Sequence, residues 1–242
     1  MKNTVHFIIQ GKGGIGKSLV ATLLAQYFEK KAPGQSMNFD TDQENTTFAN
    51  YKALHAQHVP VMSESRTINA KMFDGMMETI ATKDGIAVID NGSNTFSPLL
   101  AYMVENDIVQ LLKDSGKTVY LHVIVGGGDM LRETAQGFNS MVQGINAPIV
   151  LWLNEYFGPT RTPEGKHFAE TKVYRDNEER IKGVVMLPAR NQQTYGDDIK
   201  KMNIRRLTID EVVDSPDFSL LEKQRLKTVA REVTEQLDKI EF

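Results

Sequence analysis

The stretch Gly11-Lys12-Gly13-Gly14-Ile15-Gly16-Lys17-Ser18 decides the fold of this 242-residue chain. It follows the pattern G-x-x-x-x-G-K-[ST], which is the signature of a phosphate-binding loop. An apolar run from Val5 to Ile9 precedes it, and a helical pattern begins near Leu19. Because strand, loop and helix occur in the order that the motif requires, we favour a phosphate-binding loop over a glycine-rich turn without a ligand.

The residue types in this loop explain how it would hold a nucleotide. Glycines let the backbone bend around an anion with its N–H groups pointing inward, and the following helix adds the positive end of its dipole. Lys17 can reach the β- and γ-phosphates, and the hydroxyl of Ser18 is placed to ligate Mg²⁺. The loop therefore predicts a nucleoside triphosphate and Mg²⁺ as cofactors.

Length and composition are those of one globular domain. The chain is long enough for one α/β domain with a substantial core and too short for two of ordinary size, so we expect a single domain, built around the phosphate-binding loop, over residues 1–242. A net charge of −3 gives no general attraction to nucleic acid or acidic membranes. The absence of cysteine excludes disulfides, thiolate metal sites and cysteine-held iron–sulfur clusters.

Hydropathy along the chain bears on its location. The amino terminus lacks the long apolar region of a signal peptide. No stretch approaches the roughly 20 apolar residues that a membrane span needs. The sequence therefore predicts a cytoplasmic protein without a membrane span.

Two acidic residues follow the second predicted strand, which covers Ser36 to Phe39. Asp40 and Asp42 stand at the carboxyl end of this strand, where ligands bind in an open α/β sheet. Acids beside a phosphate-binding loop would repel the nucleotide unless they orient water or metal. The alternative is that Asp42 caps a helix predicted over residues 46–58, and the two roles are compatible.

A third element of the site is the run Ile86-Ala87-Val88-Ile89-Asp90. Four apolar residues that end in an aspartate form the Walker B arrangement, in which a buried strand carries a carboxylate to the Mg²⁺ site. The run is a weak signal alone, but about 70 residues after a phosphate-binding loop it points to the same site. We therefore predict that Ser18 and Asp90 bind Mg²⁺.

The rest of the chain alternates between strand and helix patterns. Further strands are predicted at 118–125, 147–153 and 184–187, and helices at 18–31, 97–116, 130–142 and from Ser215-Pro216 onward. This alternation predicts a doubly wound, mainly parallel sheet with helices on both faces. His6 interrupts the first strand and is interpreted as a hydrogen-bonded histidine, although the sequence indicates no partner for it.

The second lysine of the loop gives the run K-G-G-x-G-K-S, which resembles the deviant Walker A loop of the ParA/MinD family of ATPases. In that family the extra lysine reaches across a dimer interface to the nucleotide of the other subunit. The resemblance therefore implies that Lys12 acts in trans in an ATP-dependent homodimer. The alternative is that Lys12 is an ordinary solvated loop charge.

Two further segments extend this resemblance. Residues 40–45 are similar to the family element D-x-D-P-Q-x-N without its proline, which implies that Asp42 positions the attacking water and that Asp40 lies near the metal shell. Asn154 stands where the family uses an asparagine to hydrogen-bond the adenine edge, and Pro188 begins a loop at that edge. Since Phe157 stands three residues after Asn154, the N-K-x-D guanine motif is absent, and ATP is favoured over GTP.

These inferences define three sets of expected site residues. The expected catalytic residues are Lys12, Lys17 and Asp42. The expected metal-binding residues are Ser18, Asp40 and Asp90. The expected nucleotide-binding residues are Gly11, Lys12, Gly13, Gly14, Ile15, Gly16, Lys17, Ser18, Leu19, Asn154 and Pro188.

Segments 153–159, 194–199 and 206–211 look like the plasmid-encoded TraL/StbB group, which serves conjugal transfer and plasmid stability. The two resemblances together imply a slow, Mg-dependent ATPase that acts as a dimeric switch, with plasmid DNA or a DNA-transfer protein as its partner. Two alternatives stay open: a nucleotide-gated scaffold or DNA-binding adaptor with negligible hydrolysis, and a metabolite-forming enzyme of the dethiobiotin synthetase kind. The basic residues of 200–206 form either a solvated face or a DNA-binding surface.

Overall fold

A computed structural model of the chain describes residues 2–63 and 67–242 and shows one seven-stranded sheet in which every pair of neighbouring strands is parallel. The order across the sheet is β3-β2-β4-β1-β5-β6-β7. The strands are β1 (Thr4–Ile9), β2 (Ser36–Asp40), β3 (Gln57–His58), β4 (Ile86–Asp90), β5 (Thr118–Gly126), β6 (Ile149–Asn154) and β7 (Ile181–Leu187).

Helices cover both faces of this sheet. The helices of the described residues are α1 (Lys17–Lys31), α2 (Asp74–Thr82), α3 (Phe96–Glu105), α4 (Ile108–Asp114), α5 (Leu131–Gly144), α6 (Lys172–Arg175), α7 (Asp197–Arg205), α8 (Ile209–Asp214) and α9 (Leu220–Leu237). Alternate side chains of β1 enter different cores: Val5, Phe7 and Ile9 pack with α2 to α5, and Ile8 packs with α1 and α9. The predicted doubly wound α/β fold is therefore confirmed.

The sheet register places the predicted site elements at one edge. Asp90 at the end of β4 is paired with Asp40 on β2 and with Ile8 on β1. The phosphate-binding loop begins at Gly11, two residues beyond the end of β1, so it emerges beside both aspartates. Parallel pairing thus brings segments that are far apart in sequence to the same carboxyl edge.

The prediction of a helix over residues 46–58 is wrong. This segment forms turns, a short 3₁₀ turn at Lys52–Leu54 and the edge strand β3, which pairs with β2. Two β2 side chains hold its backbone: Asp40 Oδ2 accepts from Ala49 N at 2.9 Å, and Asn38 Nδ2 donates to Leu54 O at 2.7 Å. These tertiary hydrogen bonds outweigh the local preference, which asparagine and threonine already make weak.

Two other predicted helices differ in extent. Residues 97–116 form α3 and α4 rather than one helix, because Asp107 takes a left-handed conformation with φ of 46° between them. The terminal helix begins after Ser219, whose side chain forms a capping box with Glu222, and not at Ser215. Its buried residues are Leu226, Val229, Val233 and Leu237.

A buried polar chain runs through the centre of the sheet. Trp152 Nε1 donates to His122 Nδ1 at 3.0 Å, His122 Nε2 lies 2.9 Å from His6 Nδ1, and His6 Nε2 lies 2.9 Å from Thr4 Oγ1. Since an indole N–H can only donate, the chain is satisfied when both imidazoles are neutral and each donates through Nε2. His6 is therefore hydrogen-bonded as expected, and its partner lies 116 residues away.

The outer edge of β7 is closed by a side chain. Gln236 on α9 accepts a hydrogen bond from Met186 N at 2.7 Å and donates one to Met186 O at 3.1 Å. The amide therefore imitates a neighbouring strand at that point. Among residues 2–63 and 67–242, no helix is both long and apolar enough to cross a membrane.

Candidate functional site

The phosphate-binding loop joins β1 to α1. Gly14 and Gly16 have φ values of 70° and 100°, which lie in the left-handed region that glycine adopts without strain. Helix α1 begins at Lys17 directly after the loop. The loop therefore has the strand, turn and helix N-terminus that an anion site requires.

The Lys17 side chain is almost fully buried, and its Nζ donates to Lys12 O at 2.9 Å. Burial lowers the pKa of Lys17, while the charges of Asp90 and Asp42 act in the opposite direction. Lys17 is therefore held across the mouth of the loop beside both carboxylates. The ammonium group of Lys17 is therefore already in place to form a charged hydrogen bond with a bound phosphate.

Asp90 is buried at the end of β4, and neither of its carboxylate oxygens accepts a hydrogen bond from a backbone N–H group or a cationic side chain of the described residues; the donor beside them is the hydroxyl of Ser18. Burial raises the pKa of Asp90 to about 8, and the charge of Asp40 adds to this, whereas the Ser18 hydroxyl and the charge of Lys17 lower it. A buried carboxylate without a cation bound to it is costly, and a divalent cation beside it removes that cost. Asp90 and the adjacent Ser18 are thus chemically suited to Mg²⁺.

A protein-built metal cage is absent from the described part of the chain, where no three His, Asp or Glu side chains cluster as ligands. Mg²⁺ usually keeps several waters and takes one or two carboxylates together with substrate phosphates. A site made of Asp90, a serine hydroxyl and a nucleotide matches this coordination preference of Mg²⁺. The metal would therefore depend on the nucleotide for part of its shell.

Asp40 is fully buried next to Asp90, but both of its oxygens have backbone partners. Oδ1 accepts from Asp42 N at 3.0 Å, and Oδ2 accepts from Ala49 N. Burial raises the pKa of Asp40, and the two backbone hydrogen bonds lower it. In this structure Asp40 fixes the loop that carries Asp42, while its predicted place in the metal shell stays a prediction.

Asp42 lies against the loop that follows Asp90. Its Oδ1 accepts from Glu44 N at 2.9 Å and Asn45 N at 3.0 Å, so it closes a turn and caps no α-helix. A Cβ atom built on Gly92 would lie 2.8 Å from Asp42 Cα and 2.9 Å from Asp42 Cγ. Glycine at position 92 therefore permits the close approach of the two loops.

Asn91 joins these loops and was not among the predicted site residues. Its Oδ1 accepts from Thr41 Oγ1 at 3.1 Å and from Thr95 Oγ1 at 2.9 Å, and its Nδ2 donates to Gly92 O at 3.1 Å. The side chain thus connects the end of β2 to the start of α3. No signal in the sequence identifies Asn91, because its threonine partners lie on other elements.

The loop lysine Lys12 is not free in solvent. Its Nζ forms an ion pair of 2.8 Å with Glu133 Oε2 on α5, and its side chain is 30% exposed. An exposed pair of this kind contributes little to stability. Its effect is on position, since it holds Lys12 against its own chain. The predicted role of Lys12 in trans is not tested by this arrangement.

Gln10 anchors the start of the loop from below. Its Oε1 accepts from Gly11 N at 2.9 Å, and its Nε2 donates to Ile124 O at 2.7 Å and to Thr134 O at 3.1 Å. A Cβ atom on Gly137 of α5 would overlap Gln10 Oε1. The loop is therefore tied to β5 and α5 by one buried amide that the sequence did not single out.

A cavity of about 380 Å³ opens on the other side of the loop. Its size is in the usual range for small-molecule sites, roughly 300–1,000 Å³. Predicted nucleotide-binding residues of three segments line it: Gly14, Ile15, Gly16, Leu19, Asn154 and Pro188. The structure therefore brings the predicted base-side residues to the same cavity as the loop, next to apolar side chains such as Phe157 and Leu187.

Asn154 lies between the loop and the wall of this cavity. Its Nδ2 donates to Ile15 O at 3.0 Å, and its Oδ1 accepts from Tyr156 N at 3.1 Å. One amide hydrogen and one lone pair stay available for a base edge.

The turn after β5 consists of the three glycines 126–128. These glycines pack against Ile15 and the backbone of 157–159, which explains why the turn has no side chains.

Strand order, loop and carboxylates together define the class of the protein: it has the α/β fold of P-loop NTPases, with its candidate site at the carboxyl edge of the sheet. The chain belongs to the TraL family. It is 40% identical over 238 residues to one Protein TraL of Escherichia coli and 38% identical over 237 residues to a second, and each match covers 97% of both chains. The predicted kinship with the TraL group is thereby confirmed.

Other comparisons are more distant. No family model matches the chain. The solved structures of the MinD cell division protein of Aquifex aeolicus and of its MinC:MinD complex are each 12% identical to it, with a TM-score of 0.48. The first match covers 96% of this chain and 97% of the other, and the second covers 96% of both. At this level of similarity they add nothing to the topology described above.

Proposed function

We propose that the chain binds ATP with Mg²⁺ and hydrolyses it slowly, and that ATP favours a homodimer that hydrolysis to ADP releases. The buried Asp90 carboxylate, which has no backbone or cationic hydrogen-bond donor among the described residues, supports this most directly, because it lies beside Lys17 and Ser18 at the mouth of a phosphate-binding loop. Such a group is stabilised by a divalent cation. A purely structural loop would not need it.

Each site residue has a role in this proposal. The loop amides and Lys17 bind the β- and γ-phosphates, and Ser18 and Asp90 hold Mg²⁺, with Asp40 behind them. Bound Mg²⁺ would neutralise the charge that develops on the phosphates. Asp42 orients the attacking water, and Asn154 and Pro188 border the adenine. Lys12 would leave Glu133 and reach the nucleotide of the second subunit.

The biological role follows from the family. We infer that the ATP switch serves plasmid conjugal transfer, stability or partition, in line with the TraL name of the relatives. The direct partner would be plasmid DNA or a protein of the transfer apparatus, and the site of action the cytoplasm. Lys201 and Arg205 of the basic segment already pair with Glu222 and Asp217, so a protein partner is favoured over non-specific DNA binding.

Calorimetry with ATP in the presence and absence of Mg²⁺ tests the proposal. We expect ATP binding that needs Mg²⁺ for full affinity. The variants Lys17→Ala and Asp90→Asn should lose this ATP binding while keeping the parent's circular dichroism spectrum. Lys30→Ala is the matched control, because Lys30 lies at the far end of the same helix and pairs with Asp210 on the surface. Failure of the folded parent to bind adenine nucleotides would refute the proposed function.

Single-turnover hydrolysis separates the switch from a nucleotide-gated scaffold. If the protein is a switch, phosphate is released and the ATP-induced dimer returns to the monomer. Sedimentation velocity measures the change from dimer to monomer. The scaffold predicts a dimer that persists with unhydrolysed ATP, with or without DNA. Lys12→Ala should bind ATP but lose the dimer, and a variant that dimerises like the parent would exclude the trans role.

A further inference from the structure

Asn94 lies in the loop after Asp90, four residues beyond the carboxylate, and no site role has been assigned to it. Its Oδ1 is buried and has no hydrogen-bond partner among the described residues. A buried amide oxygen without a donor is costly, so it is rarely left unpaired without a reason. In the same loop the side-chain oxygen of Asn91 accepts two hydrogen bonds, which makes the contrast informative.

The position of Asn94 relative to Asp42 gives that oxygen a direction. The Cβ position of Gly92 lies 2.8 Å from Asn94 Oδ1 and 2.9 Å from Asp42 Cγ. The amide of Asn94 and the carboxyl of Asp42 are therefore both packed against Gly92, where the lack of a side chain permits their approach. Asn94 Oδ1 and Asp42 Cγ are no farther apart than the sum of these two distances, which is short enough for one water molecule to contact both groups.

The same loop also faces the phosphate-binding loop. Ser93 Oγ lies 3.4 Å from the Cβ position of Gly13. Asn94 is thus in a segment that lies between the phosphate-binding loop and Asp42, which is where the γ-phosphate and the attacking water would meet.

From this geometry we infer that Asn94 is a second residue that orients the attacking water, together with Asp42. The inference rests on the proposed ATP hydrolysis. An amide can accept a hydrogen bond from the water and donate one to a γ-phosphate oxygen, whereas a carboxylate can only accept. The side-chain amide of a glutamine fills such a place in other phosphoryl-transfer enzymes.

The reaction itself needs no further reagent. The water oxygen forms a bond to the γ-phosphorus while the bond to the β–γ bridging oxygen breaks, and ADP leaves with the electron pair of that bond. One water proton stays on the phosphate product, and the other is released to solvent. Asn94 Oδ1 would hold the water in line for this displacement, and its NH₂ group would hold the phosphate.

Substitution of Asn94 tests the inference. For Asn94→Ala we expect the single-turnover rate of ATP hydrolysis to fall about 100-fold, as when one transition-state donor is removed. The affinity for a non-hydrolysable ATP analogue should stay close to the parent's. Asn94→Asp keeps the shape and one acceptor but cannot donate, and it should also hydrolyse slowly.

The control is Asn139→Ala, which makes the same change on the exposed side of α5 and should leave the rate unchanged. Melting temperatures of all variants show whether they are folded. If folded Asn94→Ala hydrolyses ATP within about threefold of the parent, the inference is overturned while the proposed ATPase stands. If the parent binds ATP but releases no phosphate, or binds none, both proposals fall together.

Discussion

The buried pair His6 and His122 predicts a contribution to the stability of this protein that is lost in mild acid. Burial holds the pKa of His122 at about 3 and the pKa of His6 well below its ordinary value, and the neighbouring imidazole lowers the latter further. In the unfolded chain both residues have pKa values of about 6.5. Unfolding at acidic pH therefore takes up two protons that the native state refuses.

The sign and size of the effect follow from linkage. Because the native pKa values are depressed, the stabilisation is complete above pH 6.5 and is lost as pH falls below it, in the case of His122 until the native imidazole titrates near pH 3. From pH 7 to pH 5 His122 removes about 2 kcal/mol from the free energy of unfolding, and His6 acts in the same direction. Asp90 and Asp40 act in the opposite direction, since their native pKa values are raised.

The assay compares urea unfolding at pH 7 and pH 5, followed by far-ultraviolet circular dichroism, in the parent and His122→Gln. Glutamine can accept from Trp152 and donate to His6, so the variant should fold, and its loss of stability between the two pH values should be smaller by about 2 kcal/mol. Comparing variants cancels the contribution of Asp90. His55→Gln, at an exposed position, is the control. An equal loss in parent and His122→Gln would refute the reasoning.

Three further changes have expected outcomes. Gly92→Ala should push the Asp42 backbone away and abolish phosphate release while the melting temperature falls only modestly, as phosphate assays and thermal unfolding would show. Arg180→Ala should lower the free energy of unfolding by about 1–3 kcal/mol, since the guanidinium donates to carbonyls at the C-terminal end of α5, and Arg175→Ala is its exposed control. Gly137→Ala should weaken ATP binding by displacing Gln10, and adding Gln10→Ala should bring no further loss; additive losses would contradict that coupling.

The fold and the position of the candidate site in it could be predicted because their signals are local. A strand followed by Gly11 to Ser18 and a helix identifies its own structure, and four apolar residues before Asp90 identify a buried strand. The parallel sheet can then be predicted from the alternation of strands and helices alone. The pairing register of β2 with β4 places Asp40 beside Asp90.

The residues that were missed act through distant partners. Gln10 bonds to backbone atoms more than 100 positions away, and Glu133 reaches Lys12 from another helix. No periodicity or motif encodes such pairs. The prediction of a helix over residues 46–58 was wrong for the same reason. Hydrogen bonds from Asp40 and Asn38 override the weak helix preference of this segment.

The amide of Gln236 on the rim of β7 limits how copies of this protein can meet. An exposed sheet edge invites another chain to add a strand, which leads to uncontrolled aggregation. Here one edge is blocked at Met186, and the opposite edge is the two-residue strand β3. Growth of the sheet into a fibre is thus discouraged at both ends, so any specific pairing of subunits must be built from loops and helices, where a small ligand can control it.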